Sequence, residues 1–194
     1  MKLCMIGTGY VGLVSGTCFA DIGNQVYCVD KDKNKIDKLN SGISPIYEPG
    51  LDELIKKNYN ANRLIFTTDI KKAINSSDLI FICVGTPTKK GSLKVDLSFV
   101  YKCSKEILKY TKKKKIIITK STVPVGTGDE IEKIIKKKKK LFSIISNPEF
   151  LREGEAIRDF RYPDRIVIGS DNKSEFKTMK KLYSPLISKG AKFF

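Results

Sequence analysis

The chain of 194 residues contains no histidine, and its five cysteines form no paired pattern. Without histidine, acid–base catalysis and metal ligation by imidazole are excluded within this chain. The cysteines occur singly inside apolar stretches, with no C-x-x-C pair among Cys4, Cys18, Cys28, Cys83 and Cys103. This odd, scattered set predicts reduced, buried thiols in a cytoplasmic protein, and it argues against a disulfide framework and against a metal site.

Long apolar runs are also missing. The longest, such as Leu79–Val84, have the length of a strand and fall well short of the ~20 residues that a membrane-spanning helix needs. The first residues, MKLCMIG, run directly into a glycine-rich turn and contain no A-x-A-like cleavage site. We therefore expect neither a transmembrane segment nor a secretory signal.

Acidic residues are scarce relative to basic ones. The 37 Lys and Arg residues exceed the 21 Asp and Glu residues, and the formal net charge is +16. Such an excess can indicate an anionic partner such as nucleic acid, a membrane surface or a phosphorylated ligand. Only five of the basic residues are Arg, the better reader of bases and phosphates, so we attribute most of the excess to solvated lysines.

Two lysine runs, Lys112–Lys115 and Lys136–Lys140, could be taken for a nucleic-acid site. Each run follows a predicted helix and precedes a predicted strand, where cations complement the negative end of the helix dipole. Neither run contains aromatic residues that could stack on bases. We expect solvated helix ends rather than a specific nucleic-acid partner.

Strand-like and helix-like apolar patterns alternate along the whole chain. Near-continuous apolar strands begin at residues 2, 25, 64, 78, 116, 142 and 165, helical patterns lie between them, and AKFF at residues 191–194 resembles the start of another strand. Strands that are apolar on both faces need cover on both faces. The sequence thus predicts an α/β fold, a doubly wound, Rossmann-like parallel sheet, with one domain over residues 1–188, a connection beginning at 189–194, and Asp96 as a helix cap.

The first predicted strand runs into the pattern G-x-G-x-x-G, from Gly7 to Gly12, and a helical pattern follows. Gly7 permits the tight turn, Gly9 lets the backbone approach a pyrophosphate, and Gly12 lets the helix pack on the strand. The helix N-terminus, with Tyr10 and Val11, offers unpaired N–H groups to the phosphates. This context predicts a dinucleotide-binding turn.

Asp30 ends the next predicted strand, 18 residues after Gly12, where a carboxylate binds the hydroxyls of the adenosine ribose. No Arg follows Asp30 to take a 2′-phosphate, so the predicted cofactor is NAD rather than NADP. The alternative is a purely structural turn with an ordinary Asp at a strand end. We favour the cofactor because strand, turn and helix all occur in the required order.

Three later strand exits carry polar side chains, and such exits converge at one edge of a parallel sheet. Their Ser and Thr hydroxyls can hold water or ribose, and the two carboxylates lie where a hydride-transfer enzyme needs a base. Each Thr-Pro could also simply form a turn, and Glu153 could favour a helix N-terminus near Gly154. The three exits are Val84-Gly85-Thr86-Pro87-Thr88, Ser121-Thr122-Val123-Pro124, and Asn147 to Gly154 with Glu149 and Glu153.

At these residues the chain resembles the UDP-glucose 6-dehydrogenase family. The matching stretches cover nearly the whole chain: IGTGYVGLVSGTCFADIGNQVYCVD, YEPGLDEL, ICVGTPT, KSTVPVGTG and NPEFLREGEAIRDFRYPDRIVIG. The resemblance implies oxidation of the 6-hydroxyl of UDP-glucose to a carboxylate with two NAD⁺. GDP-mannose dehydrogenases share N-P-E-F-L-R-E-G, whereas P-D-R-I-V-I-G resembles the UDP-glucose branch more closely.

The resemblance also implies roles for individual residues. Asp30 and Lys35 would take the adenosine ribose, and Glu149 would be the general acid/base. Thr122 would position a catalytic water. The cofactor would be lined by Val84, Gly85, Thr86, Pro87, Thr88, Ser121 and Thr122, and the sugar nucleotide by Glu149, Phe150, Leu151, Arg152 and Glu153, with Glu153 also near NAD.

Several parts of the family pattern do not occur in these 194 residues. They are the nucleophilic Cys in a G-G-S-C-F-P-K-D-like segment, a Lys and an Asn on a central helix, and the uridine-binding second domain. We therefore expect this chain to bind NAD but to turn over poorly on its own, and the full-length form to be a homo-oligomer. The alternatives are a stand-alone NAD-binding module or subunit, a basic nucleic-acid binder, and an oxidoreductase acting on a hydroxy acid, which would not explain N-P-E-F-L-R-E-G.

Overall fold

The computed structural model describes residues 1–89 and 91–194. Six strands run parallel in one sheet: β1 (Lys2–Ile6), β2 (Gln25–Val29), β3 (Leu64–Thr67), β4 (Leu79–Ile82), β5 (Lys115–Thr119) and β6 (Phe142–Ser146). Their order across the sheet is β3-β2-β1-β4-β5-β6. The predicted doubly wound fold is therefore confirmed, and the order reverses at β1, where a crevice opens at the carboxyl ends of β1 and β4.

The described residues form α1 (Tyr10–Asp21), α2 (Lys33–Asn40), α3 (Leu51–Asn60), α4 (Ile70–Ser76), α5 (Ser98–Tyr110), α6 (Thr127–Ile135), α7 (Ala156–Arg161), α8 (Lys173–Leu182) and α9 (Ser184–Ile187). Alternate strand residues point to opposite faces. Leu3 and Met5 belong to one buried cluster with Phe19 of α1, whereas Cys4 and Ile6 belong to another with Val100 of α5. Both faces of the sheet are thus covered, as continuously apolar strands require.

A second, two-stranded sheet lies beside the first. It pairs β7 (Arg165–Ile166) in parallel with β8 (Lys192–Phe193), the strand that AKFF indicates. The predicted strand at 165–170 is shorter than expected because Gly169 leaves this sheet and forms an antiparallel bridge with Ser146 at the end of β6. The last helical pattern is divided into α8 and α9, and Pro185 lies in the first turn of α9.

Two local predictions are wrong. Leu97, not Asp96, is the N-cap residue of α5, because the Asp96 carboxylate instead accepts the N–H of Ser98 at 2.9 Å, a bond two residues along the chain that belongs to the preceding turn. Lys115 is not a solvated helix end. It is the first residue of β5, only 4% exposed, and its ammonium donates to the carbonyl of Ser77.

The other lysine run does form an exposed helix end. Residues Lys136–Leu141 form a 3₁₀ helix directly after α6, and Lys136 to Lys140 are exposed. The Lys138 ammonium donates to the carbonyls of Leu108 and Thr111 at the C-terminus of α5, at 3.0 and 3.4 Å. This is the interaction expected between a cation and the negative end of a helix.

Membrane and metal sites were also sought. Among the described residues, none of the helices combines the length and the apolarity that a bilayer crossing requires. In residues 1–89 and 91–194, no three acidic or cysteine side chains are arranged so that they could hold a metal ion.

Candidate active site

The turn between β1 and α1 has the geometry that a dinucleotide pyrophosphate needs. Gly7 has a φ of +100°, a conformation that favours glycine. A Cβ on Gly12 would lie 1.9 Å from the carbonyl oxygen of Gly7, so only glycine lets the helix approach this closely. Gly9 has open space where a Cβ would stand. In the described chain, no side chain caps α1 and its first turn contains no acid, so its amide groups are free to bind an anion.

Asp30 follows β2 and faces this turn. Its Oδ2 accepts the amide and the hydroxyl of Thr8 at 3.0 and 2.8 Å, and the ammonium of Lys35 at 3.1 Å. Burial alone would raise the pKa of Asp30, but the hydrogen bonds from Thr8, Asp32 and Lys35 outweigh burial and lower it to about 2. The carboxylate is therefore ionised at neutral pH, next to the lysine that was predicted to share the ribose.

A cleft of about 520 Å³, here called the first cavity, opens between this turn and α5. Among the predicted cofactor residues, its lining includes Gly7, Gly9, Asp30, Lys35, Val84 and Gly85. Sequence reasoning missed its opposite wall, which consists of Phe99, Lys102, Cys103 and Glu106 of α5. The helical spacing of these four positions was a usable signal, because residues three and four apart share one face of a helix.

Hydrogen bonds join the three polar strand exits that were predicted to converge. The Thr86 hydroxyl, after β4, donates to the carbonyl of Thr122 at 3.0 Å, and the Ser121 hydroxyl donates to the carbonyl of Val84 at 2.7 Å. The Thr122 hydroxyl in turn donates to Oε1 of Glu149, after β6, at 3.4 Å. A threonine hydroxyl and a carboxylate thus lie together at the sheet edge.

Other predicted site residues lie farther from the two cavities of this edge. Thr88 pairs with Val95 in an antiparallel bridge, and Pro87 precedes it in the same loop. Glu153 is exposed and belongs to the lining of neither cavity. Val11 packs against the buried cluster beneath the turn, so its backbone rather than its side chain faces the cleft.

A second cavity of about 380 Å³ lies on the other side of Glu149. The predicted sugar-side residues Glu149, Phe150, Leu151 and Arg152 line it. Two of its cations already have partners: Arg152 forms an ion pair with Asp159 at 2.7 Å, and the Arg165 guanidinium lies 4.6 Å from the centre of the Phe150 ring. Lys120, which no motif singled out, also belongs to this lining.

Lys120 follows β5 and is only 4% exposed. Its backbone N–H donates to the carbonyl of Ile82, which fixes it beside the end of β4. Burial lowers the pKa of its ammonium to about 8, and the charges of Cys83 and Glu149 offset only part of that effect.

A buried carboxylate, Glu48, connects the dinucleotide turn with the segment that contains Glu149. It lies before α3, in a segment of otherwise mostly exposed residues, and is itself 6% exposed. It accepts hydrogen bonds from the Tyr10 hydroxyl, from the Gly154 amide at 2.9 Å and from the Ile157 amide at 3.1 Å. The side chain of Tyr10 therefore serves this connection, while its backbone belongs to the turn.

The five cysteines are free and buried, as predicted. Burial raises the pKa of each thiol, to about 12 for Cys18 and Cys83 and to about 11 for Cys103. A thiol that is buried and protonated is a poor nucleophile. Cys83 borders the first cavity but shares this property.

Comparison with known proteins agrees with this geometry. A family model described as "UDP-glucose/GDP-mannose dehydrogenase family, NAD binding domain" matches residues 1–187. The UDP-glucose 6-dehydrogenase of Rhizobium meliloti is 53% identical over 191 residues, which is 96% of this chain and 44% of that protein. UDP-glucose 6-dehydrogenase TuaD of Bacillus subtilis is 50% identical over 187 residues, 95% of this chain and 40% of that protein.

Solved structures give the same result. A ternary complex of GDP-mannose dehydrogenase from Pseudomonas aeruginosa superposes with a TM-score of 0.93 at 36% identity, covering 100% of this chain and 46% of that chain. A UDP-glucose dehydrogenase from Pyrobaculum islandicum superposes with a TM-score of 0.92 at 33% identity, covering 99% and 45%. This chain spans somewhat less than half the length of these relatives.

Proposed function

Because this chain belongs to the UDP-glucose/GDP-mannose dehydrogenase family and matches its NAD-binding domain, we propose that it is the cofactor-binding part of a UDP-glucose 6-dehydrogenase. One observation carries the proposal: the first cavity, with the ionised Asp30 at the glycine turn, opens beside the strand exits that hold Thr122 and Glu149. We further propose that residues 1–188 form the NAD-binding domain and that 189–194 begin the connection to the remainder of the enzyme.

The chain's own groups divide the work of holding NAD⁺. The amides at the start of α1 would bind the pyrophosphate, and Asp30 with Lys35 would bind the hydroxyls of the adenosine ribose. Residues Val84 to Thr88, with Ser121, Thr122 and Glu153, would border the remainder of the cofactor. The chemistry that NAD⁺ supplies when bound is the acceptance of hydride.

Glu149 would move the protons. Its Oε2 accepts the amide of Leu151 at 2.8 Å and its Oε1 accepts the Thr122 hydroxyl at 3.4 Å, so its carboxylate is held in one orientation. A carboxylate in this position can accept the proton of a sugar hydroxyl or of a water held by Thr122. Phe150, Leu151, Arg152 and Glu153 would border the sugar nucleotide.

Oxidation to a carboxylate needs a nucleophile for its second stage, and the family resemblance implies a cysteine thioester there. The thiols of this chain are buried with raised pKa values, so we assign the nucleophile to a segment outside these 194 residues. Thr122 and Glu149 would then hold the water that hydrolyses the thioester. The full-length form is proposed to be a homo-oligomer.

The first test is a calorimetric titration of the chain with NAD⁺. We expect the Asp30→Asn variant to bind at least about tenfold more weakly, because a hydrogen bond to a charged group contributes about 1.5–3 kcal/mol. Asp37→Asn, an exposed carboxylate on α2 paired with Lys33 at 2.6 Å, is the matched control and should bind normally. Absence of NAD⁺ binding by the unmodified chain would refute the proposal.

The second test concerns the sugar, because the GDP-mannose dehydrogenase of Pseudomonas aeruginosa is also similar to this chain. The chain would be co-expressed with the C-terminal half of the Rhizobium meliloti enzyme and assayed for NADH with UDP-glucose and with GDP-mannose. We expect NADH from UDP-glucose only, and its loss in Glu149→Gln. NADH from GDP-mannose alone would assign the other sugar.

A further inference from the structure

The buried ammonium of Lys120 has no role in the proposed chemistry. It is a lining residue of the second cavity although the side chain is only 4% exposed. Among the described residues, no group accepts a hydrogen bond from it, and the charges that act on it are those of Cys83 and Glu149. A buried cation without a partner is costly, so its presence at a cavity wall indicates a ligand.

The polar groups around Lys120 already have other partners. Asn147 accepts the Tyr183 hydroxyl at 2.6 Å, and its own amide donates to the carbonyl of Val167 at 3.0 Å. Asp159 is held by the Arg152 guanidinium through two bonds, at 2.7 and 3.0 Å. The protein therefore supplies little that could satisfy the Lys120 ammonium from within the cavity.

We propose that Lys120 is the oxyanion-binding residue of the second cavity, where its ammonium takes a phosphate or carboxylate oxygen of the bound ligand. Only the identity of that ligand rests on the proposed function, because a sugar nucleotide brings a diphosphate and its oxidised product also brings a carboxylate. The binding itself requires only the cavity and the cation.

The pH dependence of such binding follows from the groups that face Lys120. Cys83 and Tyr183 are neutral, since burial raises the pKa of Cys83 to about 12 and raises that of Tyr183 as well. The charged groups of the lining are Glu149, Arg152, Asp159, Asp164 and Arg165. Because the pKa of Lys120 is about 8, its positive charge is present at pH 7 and largely lost at pH 9.5.

The test titrates the chain with three probes, UDP, glucuronate and UDP-glucuronate, at pH 7 and at pH 9.5. At pH 7 we expect Lys120→Met to bind at least about tenfold more weakly than the unmodified chain. We expect the affinity of the unmodified chain to fall toward that of the variant at pH 9.5. Lys113→Met, which removes an exposed lysine at the opposite edge of the sheet, is the control.

Each outcome decides between the sources or against the proposal. Binding of UDP alone assigns the diphosphate, binding of glucuronate alone assigns the carboxylate, and binding of UDP-glucuronate alone assigns both together. Equal affinity of Lys120→Met, or no binding of any probe at millimolar concentration, would overturn the proposal. If the variant does not fold, the pH dependence of the unmodified chain decides. NAD⁺ titration of the same samples tests the proposed function separately.

Discussion

Two charged side chains of the site, Asp30 and Lys120, have opposite relations to their surroundings. Asp30 is held by several donors, and its pKa is lowered to about 2, so folding favours its charged form. Burial lowers the pKa of Lys120 to about 8, so folding disfavours its charged form. Stabilised charge is usual in a folded protein, whereas destabilised charge concentrates at functional sites.

Lys120→Met should therefore make the chain more stable. In the unmodified chain the folded pKa of about 8 lies below the ordinary 10.5, so the unfolded chain binds more protons between these values. Stability then increases as pH rises through this interval, and the full penalty, roughly 3 kcal/mol, is present below it. We expect the variant to gain stability of that order at pH 7 and little at pH 10.5.

Urea unfolding of both proteins at pH 7 and at pH 10.5 measures this effect. The difference between the two chains isolates Lys120 from the other lysines that titrate in the same range. A variant that is less stable at pH 7 would show that the ammonium has a stabilising partner.

Two glycines of the dinucleotide turn should respond differently to alanine. In Gly12→Ala the new Cβ meets the carbonyl oxygen of Gly7 at 1.9 Å, so the backbone must move, and we expect a loss of about 2 kcal/mol or more in the free energy of unfolding. In Gly9→Ala the Cβ has no neighbour within 4 Å, so stability should change by less than about 1 kcal/mol.

NAD⁺ affinity distinguishes the two variants further. Gly9 lines the first cavity, so its added methyl group should weaken binding at least about tenfold in a protein that still folds. Thermal unfolding and calorimetry of both variants provide the measurements. Normal NAD⁺ binding by Gly9→Ala would mean that the pyrophosphate does not approach this backbone.

At the scale of elements, Glu48 positions helix α7 against the start of α1. Glu48→Gln leaves one acceptor oxygen and directs an amide group toward backbone donors, so we expect a loss of about 2 kcal/mol or more in stability. The amides of Gly154 and Ile157 should exchange faster with solvent, as seen by hydrogen-exchange NMR. Glu53→Gln, an exposed acid of α3, should change neither quantity.

The strand and helix order could be predicted because it depends on local apolar periodicity, and the glycine turn and Asp30 because the motif and its context are local. Thr8, Glu48 and Lys120 could not be identified in this way. Each acquires its role from partners that lie more than 20 residues away or from burial, as in the bond of Glu48 to Ile157, 109 residues along the chain. The misplaced cap at Asp96 shows the same limit at shorter range, since an Asx bond and an N-cap bond look alike in sequence.

At the scale of the whole molecule, both faces of the parallel sheet are buried, and the five thiols lie inside these layers. We expect a thiol reagent such as Ellman's reagent to label fewer than one of the five cysteines in the folded chain and all five in denaturant. NAD⁺ should not change the folded result. Rapid labelling of a single cysteine without denaturant would reopen the possibility of a nucleophile within this chain.

The position of Met1 gives this fold a practical use. Its ammonium donates to the side chain of Asn24 at 3.0 Å, at the end of the sheet opposite both cavities. A tag fused there would replace the ammonium by a peptide group that still has a hydrogen to donate. A biosensor tethered through that tag would hold the molecule with its ligand-receiving side turned away from the support.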